Sequence, residues 1–118
     1  MARILLAEDD GSLRGFLTRA LERAGHEVTA CENGDDAVDA LEDGPWDLLL
    51  TDIVMPGADG IEVARIAAHR QPGLRIMFIT GFAAVALTAA QSTPQAKVLS
   101  KPVHLRDLVA EVERMVAA

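Results

Sequence analysis

Cysteine is nearly absent. Cys31 stands alone in a chain of 118 residues, which excludes an internal disulfide and points to a reducing compartment. Placed near the end of a strand-like run, it reads as a small apolar packing residue rather than a reactive thiol. Cations are outnumbered, 11 Lys and Arg against 18 Asp and Glu, for a net charge of −7. They form no stripe, so direct nucleic-acid binding is excluded. No apolar run is long enough to span a membrane, and the N-terminus opens on a strand-like run with no signal-peptide layout. The expectation is a cytoplasmic protein without a membrane partner. His26, His69, His104 and Cys31 have no metal-ligand spacing, and the three histidines read as surface or helix-end residues. Repeats, linkers and low-complexity stretches are also missing. Residues 1–118 therefore read as a single domain with no output domain attached.

What is present is a regular alternation. Half of the residues are apolar and a quarter charged, as in an ordinary globular domain. Arg3 to Ala7 is a short apolar run, a buried strand by length. Leu13, Phe16, Leu17, Ala20 and Leu21 then recur at helical spacing on one face. Asp10 or Ser12 can cap that helix, and Gly25 marks its end. Glu27 to Cys31 reads as a second strand. Asp35 to Asp43 reads as a helix with Ala37, Val38 and Leu41 inward, stopped by Gly44-Pro45. Trp46 to Thr51 is the third strand, Ile61 to Arg70 a helix, and Arg75 to Thr80 the fourth strand. The alanine-rich stretch from Gly81 to Gln91 reads as a helix, and Ala96 to Ser100 as the last strand. A final helix places Leu105, Leu108, Val109, Val112 and Val116 on one face. Alternating strands and helices, with apolar strands, predict an α/β fold: a doubly wound, five-stranded parallel sheet with helices on both faces.

In such sheets functional groups collect at the carboxyl ends of the strands. The first strand ends in Glu8-Asp9-Asp10, the third in Asp52, the fourth in Thr80-Gly81 and the fifth in Lys101-Pro102. Asp52 closes an apolar run just before Met55-Pro56-Gly57, which ends regular structure. By itself it could merely cap the following loop through backbone N–H groups. Carboxylates, a hydroxyl and an ammonium converging on one edge point instead to phosphoryl transfer onto a carboxylate. Clustered acids repel and raise one another's pKa unless a cation sits among them. A hard cation that keeps several waters is Mg²⁺. Asp52 would be the nucleophile, Lys101 would neutralise a phosphoryl oxygen, and Thr80 would donate a hydrogen bond to another.

Over its whole length the sequence resembles the receiver domain of two-component response regulators, a flavodoxin-like (βα)5 fold. Glu8 and Asp9 match the acid pair, and Asp52, in Leu-Leu-Thr-Asp-Ile-Val-Met-Pro-Gly-Ala-Asp-Gly, matches the phospho-acceptor. Thr80 matches the switch hydroxyl and Lys101-Pro102 the lysine and its proline. The resemblance implies strand order 2-1-3-4-5. It implies Mg²⁺ held by Asp9, Asp52 and the carbonyl of Val54, with Glu8 acting through water. The implied donor is a histidine kinase or a histidine phosphotransferase, and the implied output is a switch in protein–protein interaction rather than enzymatic turnover of a substrate. Two departures stand out. Val98 occupies a position that in the family often holds Tyr or Phe, and Val103 follows Lys101-Pro102 where Phe is common. The familiar aromatic rotation cannot operate here.

Phe78-Ile79-Thr80-Gly81-Phe82-Ala83-Ala84-Val85-Ala86-Leu87, with Lys97-Val98-Leu99-Ser100-Lys101-Pro102, also resembles the CpdR type of single-domain receiver. That type implies a cell-cycle regulator acting on the ClpXP protease, with ClpX as a partner. Three other functions compete. A Mg²⁺-dependent aspartyl-phosphate phosphohydrolase usually needs a second acid where Val54 stands, and a cap that this chain lacks. A relay intermediate would pass phosphate on without regulating a partner. A dinucleotide or flavin binder needs a phosphate-cradling loop where Glu8-Asp9-Asp10 would repel phosphate.

Overall fold

In a computed structural model, which describes residues 1–117, strands and helices alternate along the chain. They are β1 (Arg3–Ala7), α1 (Gly11–Arg23), β2 (Glu27–Cys31), α2 (Gly34–Ala40), β3 (Leu48–Asp52), α3 (Gly60–Arg70), β4 (Arg75–Thr80), α4 (Ala83–Ser92), β5 (Lys97–Ser100) and α5 (Leu105–Ala117). All pairings are parallel, and the strand order is β2-β1-β3-β4-β5. The predicted doubly wound α/β fold is the one observed.

Because side chains alternate across a strand, each strand feeds two cores. Ile4, Leu6, Leu48, Leu50, Met77 and Ile79 pack with Leu17 and Leu21 of α1 and Leu108 and Val112 of α5. Leu5, Leu49, Ile76 and Phe78 face the other way, onto Ala37 of α2, Val63, Ala64 and Ala67 of α3, and Ala89 of α4. The central strands β1, β3 and β4 are almost wholly buried, while β2 and β5 lie at the edges and are largely exposed. That arrangement places the ends of β1 and β3 side by side, with β4 and β5 following on one flank.

Several local expectations are corrected. Phe16, assigned to the buried face of α1, is 52 % exposed. Its ring lies under the Arg19 guanidinium, 5.1 Å from carbon to centroid, so a cation–π contact replaces burial. The second helix ends at Ala40 and tightens into a 3-10 turn over Leu41–Asp43. The third strand starts at Leu48 and not at Trp46, because the Trp46 backbone is paired on both sides by one side chain. Gln71 Oε1 accepts from Trp46 N at 2.8 Å, and Gln71 Nε2 donates to Trp46 O at 2.6 Å.

His26 is also corrected. It is not at the surface but buried, 7 % exposed. Its Nδ1 accepts from the backbone N–H of Ala2 at 3.1 Å, and its Nε2 lies 2.7 Å from Glu113 Oε1 of α5. His69 and His104 are exposed as expected. Cys31 is buried, and burial, with the Asp36 charge adding to it, pushes its thiol pKa up. That suits packing rather than reactivity.

Candidate functional site

Each predicted strand end delivers its group to the same edge of the sheet. Glu8 follows β1 directly and is 1 % exposed. Its carboxylate Oε2 accepts from Asp10 N at 3.1 Å, while the backbone N–H of Glu8 bonds Cys31 O at 3.1 Å and continues the β1–β2 ladder by one residue. Asp10 turns away as the N-cap of α1, its Oδ1 accepting from Ser12 N and Leu13 N at 3.0 and 3.2 Å. Asp9, between them, is exposed. The run of three acids is thus divided by local chemistry into one buried carboxylate, one open and one consumed as a helix cap.

Asp52 is the last residue of β3 and is 7 % exposed. Its two oxygens have different tasks. Oδ1 accepts from Ile53 N at 2.7 Å, the loop-capping role that the residue could fill alone. Oδ2 receives a 2.8 Å hydrogen bond from Lys101 Nζ. The same ammonium lies 3.1 Å from Glu8 Oε1. Its angles there fall short of a hydrogen bond, and Glu8 Oε1 has no hydrogen-bond partner although it is buried. Lys101 is carried here by the end of β5, where its own N–H bonds Thr80 O at 2.8 Å. Thr80, at the end of β4, is 1 % exposed, and its hydroxyl accepts from Phe82 N at 3.2 Å.

Electrostatics follow from this packing. Burial raises the Glu8 pKa from 4.5 to about 7; the Asp10 N–H and Lys101 pull it down, and the Asp52 charge pushes it up. For Lys101, burial opposes the charge, but the hydrogen bond to Asp52 and the nearby negative charges of Asp52 and Glu8 outweigh it and raise the pKa above 10.5.

Glu8, Asp9 and Asp52 each offer a carboxylate oxygen, and these oxygens lie within 4.8 Å of one another. Three converging carboxylates, one with an orphaned buried oxygen, fit a hard divalent cation and no soft one. The open side at Asp9 leaves room for water ligands, as Mg²⁺ requires. Val54, half-exposed at 50 %, follows two residues after Asp52 and lines an apolar groove with Met55, Ile61 and Val85. Phe82, just before α4, is 60 % exposed, and Leu87, on α4, is 62 % exposed.

With this geometry in view, the likeness to known proteins is unambiguous. The response regulator receiver domain matches residues 4–113. The chain belongs to that family. The receiver protein CpdR of Brucella abortus (strain 2308) is 60 % identical over 119 residues, which span 100 % of this chain and 99 % of that protein. Among solved structures, a response regulator receiver protein from Sinorhizobium medicae WSM419 is 34 % identical with a TM-score of 0.90, covering 99 % of this chain and 95 % of that one. The response regulator TrrA of Thermotoga maritima, solved in complex with Mg²⁺ and BeF, is 27 % identical with a TM-score of 0.86 over 98 % and 99 % of the two chains.

The receiver holds two residues at this edge that sequence reasoning passed over. Arg14 of α1 donates from Nη1 to Glu8 O at 2.9 Å and so braces the acid-bearing turn. The signal was available: a cation one turn into the helix that follows an acid cluster. Asp35 reaches the loop after β3 from α2, bonding Ala58 N at 3.1 Å. No spacing rule links residues so far apart. Among the described residues, no helix is long and apolar enough to cross a membrane.

Proposed function

We propose that this receiver accepts a phosphoryl group on Asp52 from a phosphohistidine, supplied by a histidine kinase or a histidine phosphotransferase, and that the modified form changes its binding to a protein partner. The observation that carries the reading is the contact of Asp52 with Lys101 at 2.8 Å beside the Glu8–Asp9 pair. In the step, an Asp52 carboxylate oxygen bonds to phosphorus as the phosphorus–nitrogen bond to the donor imidazole breaks. The electron pair stays on that nitrogen. The product is an acyl phosphate on Asp52.

Lys101 then has a phosphoryl oxygen to pair with in place of the free carboxylate. Thr80, whose hydroxyl accepts from Phe82 N, would turn its O–H toward a second oxygen. Asp9, Asp52, Glu8 and the carbonyl of Val54 are the groups that would hold Mg²⁺, which when bound supplies positive charge for the phosphoryl oxygens. The roles of Asp52, Thr80 and Lys101 belong to this reading.

The likeness to CpdR across nearly the full length of both chains supports a receiver that acts through a partner, with ClpX and ClpXP-dependent proteolysis as the output, in a cytoplasmic cell-cycle circuit. The test is incubation of the purified chain with Mg²⁺ and acetyl phosphate, followed by intact mass. One phosphoryl group per wild-type chain and none on Asp52→Asn is the expected outcome. Equal labelling of both would remove Asp52 from its role, and continuous turnover of the donor would mark a phosphohydrolase instead. A pull-down with wild type and Asp52→Asn side by side tests the ClpX assignment.

A further inference from the structure

The loop between β3 and α3 must hold its shape if the Val54 carbonyl is to serve the acid cluster. Its far end is pinned by close backbone packing. Gly60 N bonds Ile53 O at 2.8 Å, and a Cβ on Gly60 would fall 1.9 Å from Asp52 O. Asp59 caps α3 by accepting from Glu62 N at 2.9 Å. The outer flank has no strand to lean on. It rests on the N-terminus of α2.

Four observations define that contact. Gly34 N bonds Pro56 O at 3.3 Å, and a Cβ on Gly34 would fall 1.7 Å from Ala58 O. Asp35 Oδ1 accepts from Ala58 N at 3.1 Å. Gly57 has φ +74°, and a Cβ there would fall 2.5 Å from Asp35 Oδ2. The left-handed turn at Gly57 therefore both directs the Ala58 N–H toward α2 and clears the space the Asp35 carboxylate occupies.

Asp35 also suits the first turn of α2 for an ordinary reason, since an acid there complements the helix dipole. Asp36 has that advantage equally. It sits in the same turn, accepts from Asn33 Nδ2 at 3.2 Å and makes no bond to the loop. The two acids share a helix end and differ in what they touch, which separates a helix-stabilising role from a loop-holding one.

We propose that Asp35 is a positioning residue for phosphoryl acceptance: by clamping the Gly57–Ala58 segment onto α2 it holds the loop that includes Val54, whose carbonyl the phospho-receiver reading assigns to Mg²⁺. The inference rests on the phospho-receiver reading and adds to it a residue outside the sheet edge. Removing the clamp leaves the acids in place and loosens one ligand, so the metal site weakens without a matching loss of fold. Asn at position 35 keeps an acceptor oxygen for Ala58 N.

The experiment compares wild type, Asp35→Ala, Asp35→Asn and Asp36→Ala. Two quantities are measured: the Mg²⁺ dissociation constant by calorimetry, and the amide exchange rate of Ala58 in metal-free protein. Asp35→Ala is expected to weaken Mg²⁺ binding about tenfold, the scale of outer-shell losses at metal sites, and to speed Ala58 exchange. Asp35→Asn should recover most of both, and Asp36→Ala should leave both near wild type while lowering stability as much as Asp35→Ala does. Wild-type Mg²⁺ affinity in Asp35→Ala, or an equal loss in Asp36→Ala, would overturn the inference alone. No Mg²⁺ binding by the wild-type chain would overturn the phospho-receiver reading and this inference with it.

Discussion

Lys101 Nζ stands 2.8 Å from Asp52 Oδ2 and carries 27 % side-chain exposure against 8 % for its partner. One ammonium, about a quarter exposed, is thus what allows two carboxylates, Asp52 and Glu8, to sit buried beside each other. Two neighbouring carboxylates disfavour each other's ionised form unless an opposite charge sits beside them. The ammonium, a proton on Glu8 or a metal ion can each relieve that repulsion.

Lys101→Met removes the ammonium and keeps the stem. In metal-free protein at pH 8 it is expected to cost roughly 1–3 kcal/mol, the scale for orphaning a buried polar group. The cost should shrink toward pH 6. Glu8 has its native pKa raised to about 7, so its contribution to stability is full below the ordinary glutamate pKa and is lost as pH rises through about 7. Loss of Lys101 pushes that pKa higher still, and the variant then takes up a proton where the wild type does not. Urea unfolding at the two pH values, without metal, measures the difference; a cost independent of pH would argue against the coupling.

Mg²⁺ needs ionised carboxylates. Burial raises the Glu8 pKa to about 7, so affinity should fall as the pH drops through that region and binding should release protons. Calorimetry in buffers of different ionisation enthalpy counts the protons, and Glu8→Gln should abolish this part of the dependence. In the same titration Asp9→Ala should weaken binding more than Asp10→Ala, because the Asp10 carboxylate is already engaged by Ser12 and Leu13. Asp10→Ala should instead cost about 1 kcal/mol of stability as a lost N-cap.

Once formed, the acyl phosphate should hydrolyse slowly without help. Hydrolysis needs a water in line with the phosphorus–oxygen bond and a side chain to orient it. The residues two positions beyond Asp52 and Thr80 are Val54 and Phe82, both half-exposed or more, and neither side chain offers a donor or an acceptor. The decay of purified phosphoprotein in Mg²⁺ should accelerate in Val54→Asn or Phe82→Glu. Decay within seconds in wild type, unchanged in both variants, would mean another group orients the water.

Partner binding is expected to use the surface around Phe82. The α4 sequence AAVALTAAQS has no charge, and only Ala89 of it is buried, so the helix offers an apolar face on an otherwise acidic protein. The N–H of Phe82 is bonded to the Thr80 hydroxyl, which ties the position of this surface to the state of the site. Phe82→Ala and Val85→Asp should each weaken partner binding in a pull-down; the circular-dichroism melt should stay intact in Phe82→Ala and drop somewhat in Val85→Asp, whose side chain packs partly against the core. Full retention in two folded variants would place the contact elsewhere.

Much of this protein was legible from residue order alone, for a physical reason. Helices and strands are set by local periodicity, and β1, β4, α3 and α5 carry clean patterns with turn-forming residues between them. The strand ends carried the acids, Thr80 and Lys101 in plain view, because a parallel sheet sends every such end to one edge. The tertiary structure alone decided how those groups divide their labour. Lys101 and Asp52 are 49 residues apart, and no local pattern could give their bond, the orphaned Glu8 oxygen, or the choice of Asp10 over Ser12 as helix cap. The same holds where residues escaped their apparent class. Phe16 looks like core by spacing but lies outside the sheet's reach under Arg19. His26 looks like surface by type, yet it is buried because Glu113, 87 residues away, comes to it on α5. Local sequence fixes what each segment is; burial, charge pairing and cation affinity depend on which segments meet, and that is settled only when the sheet closes.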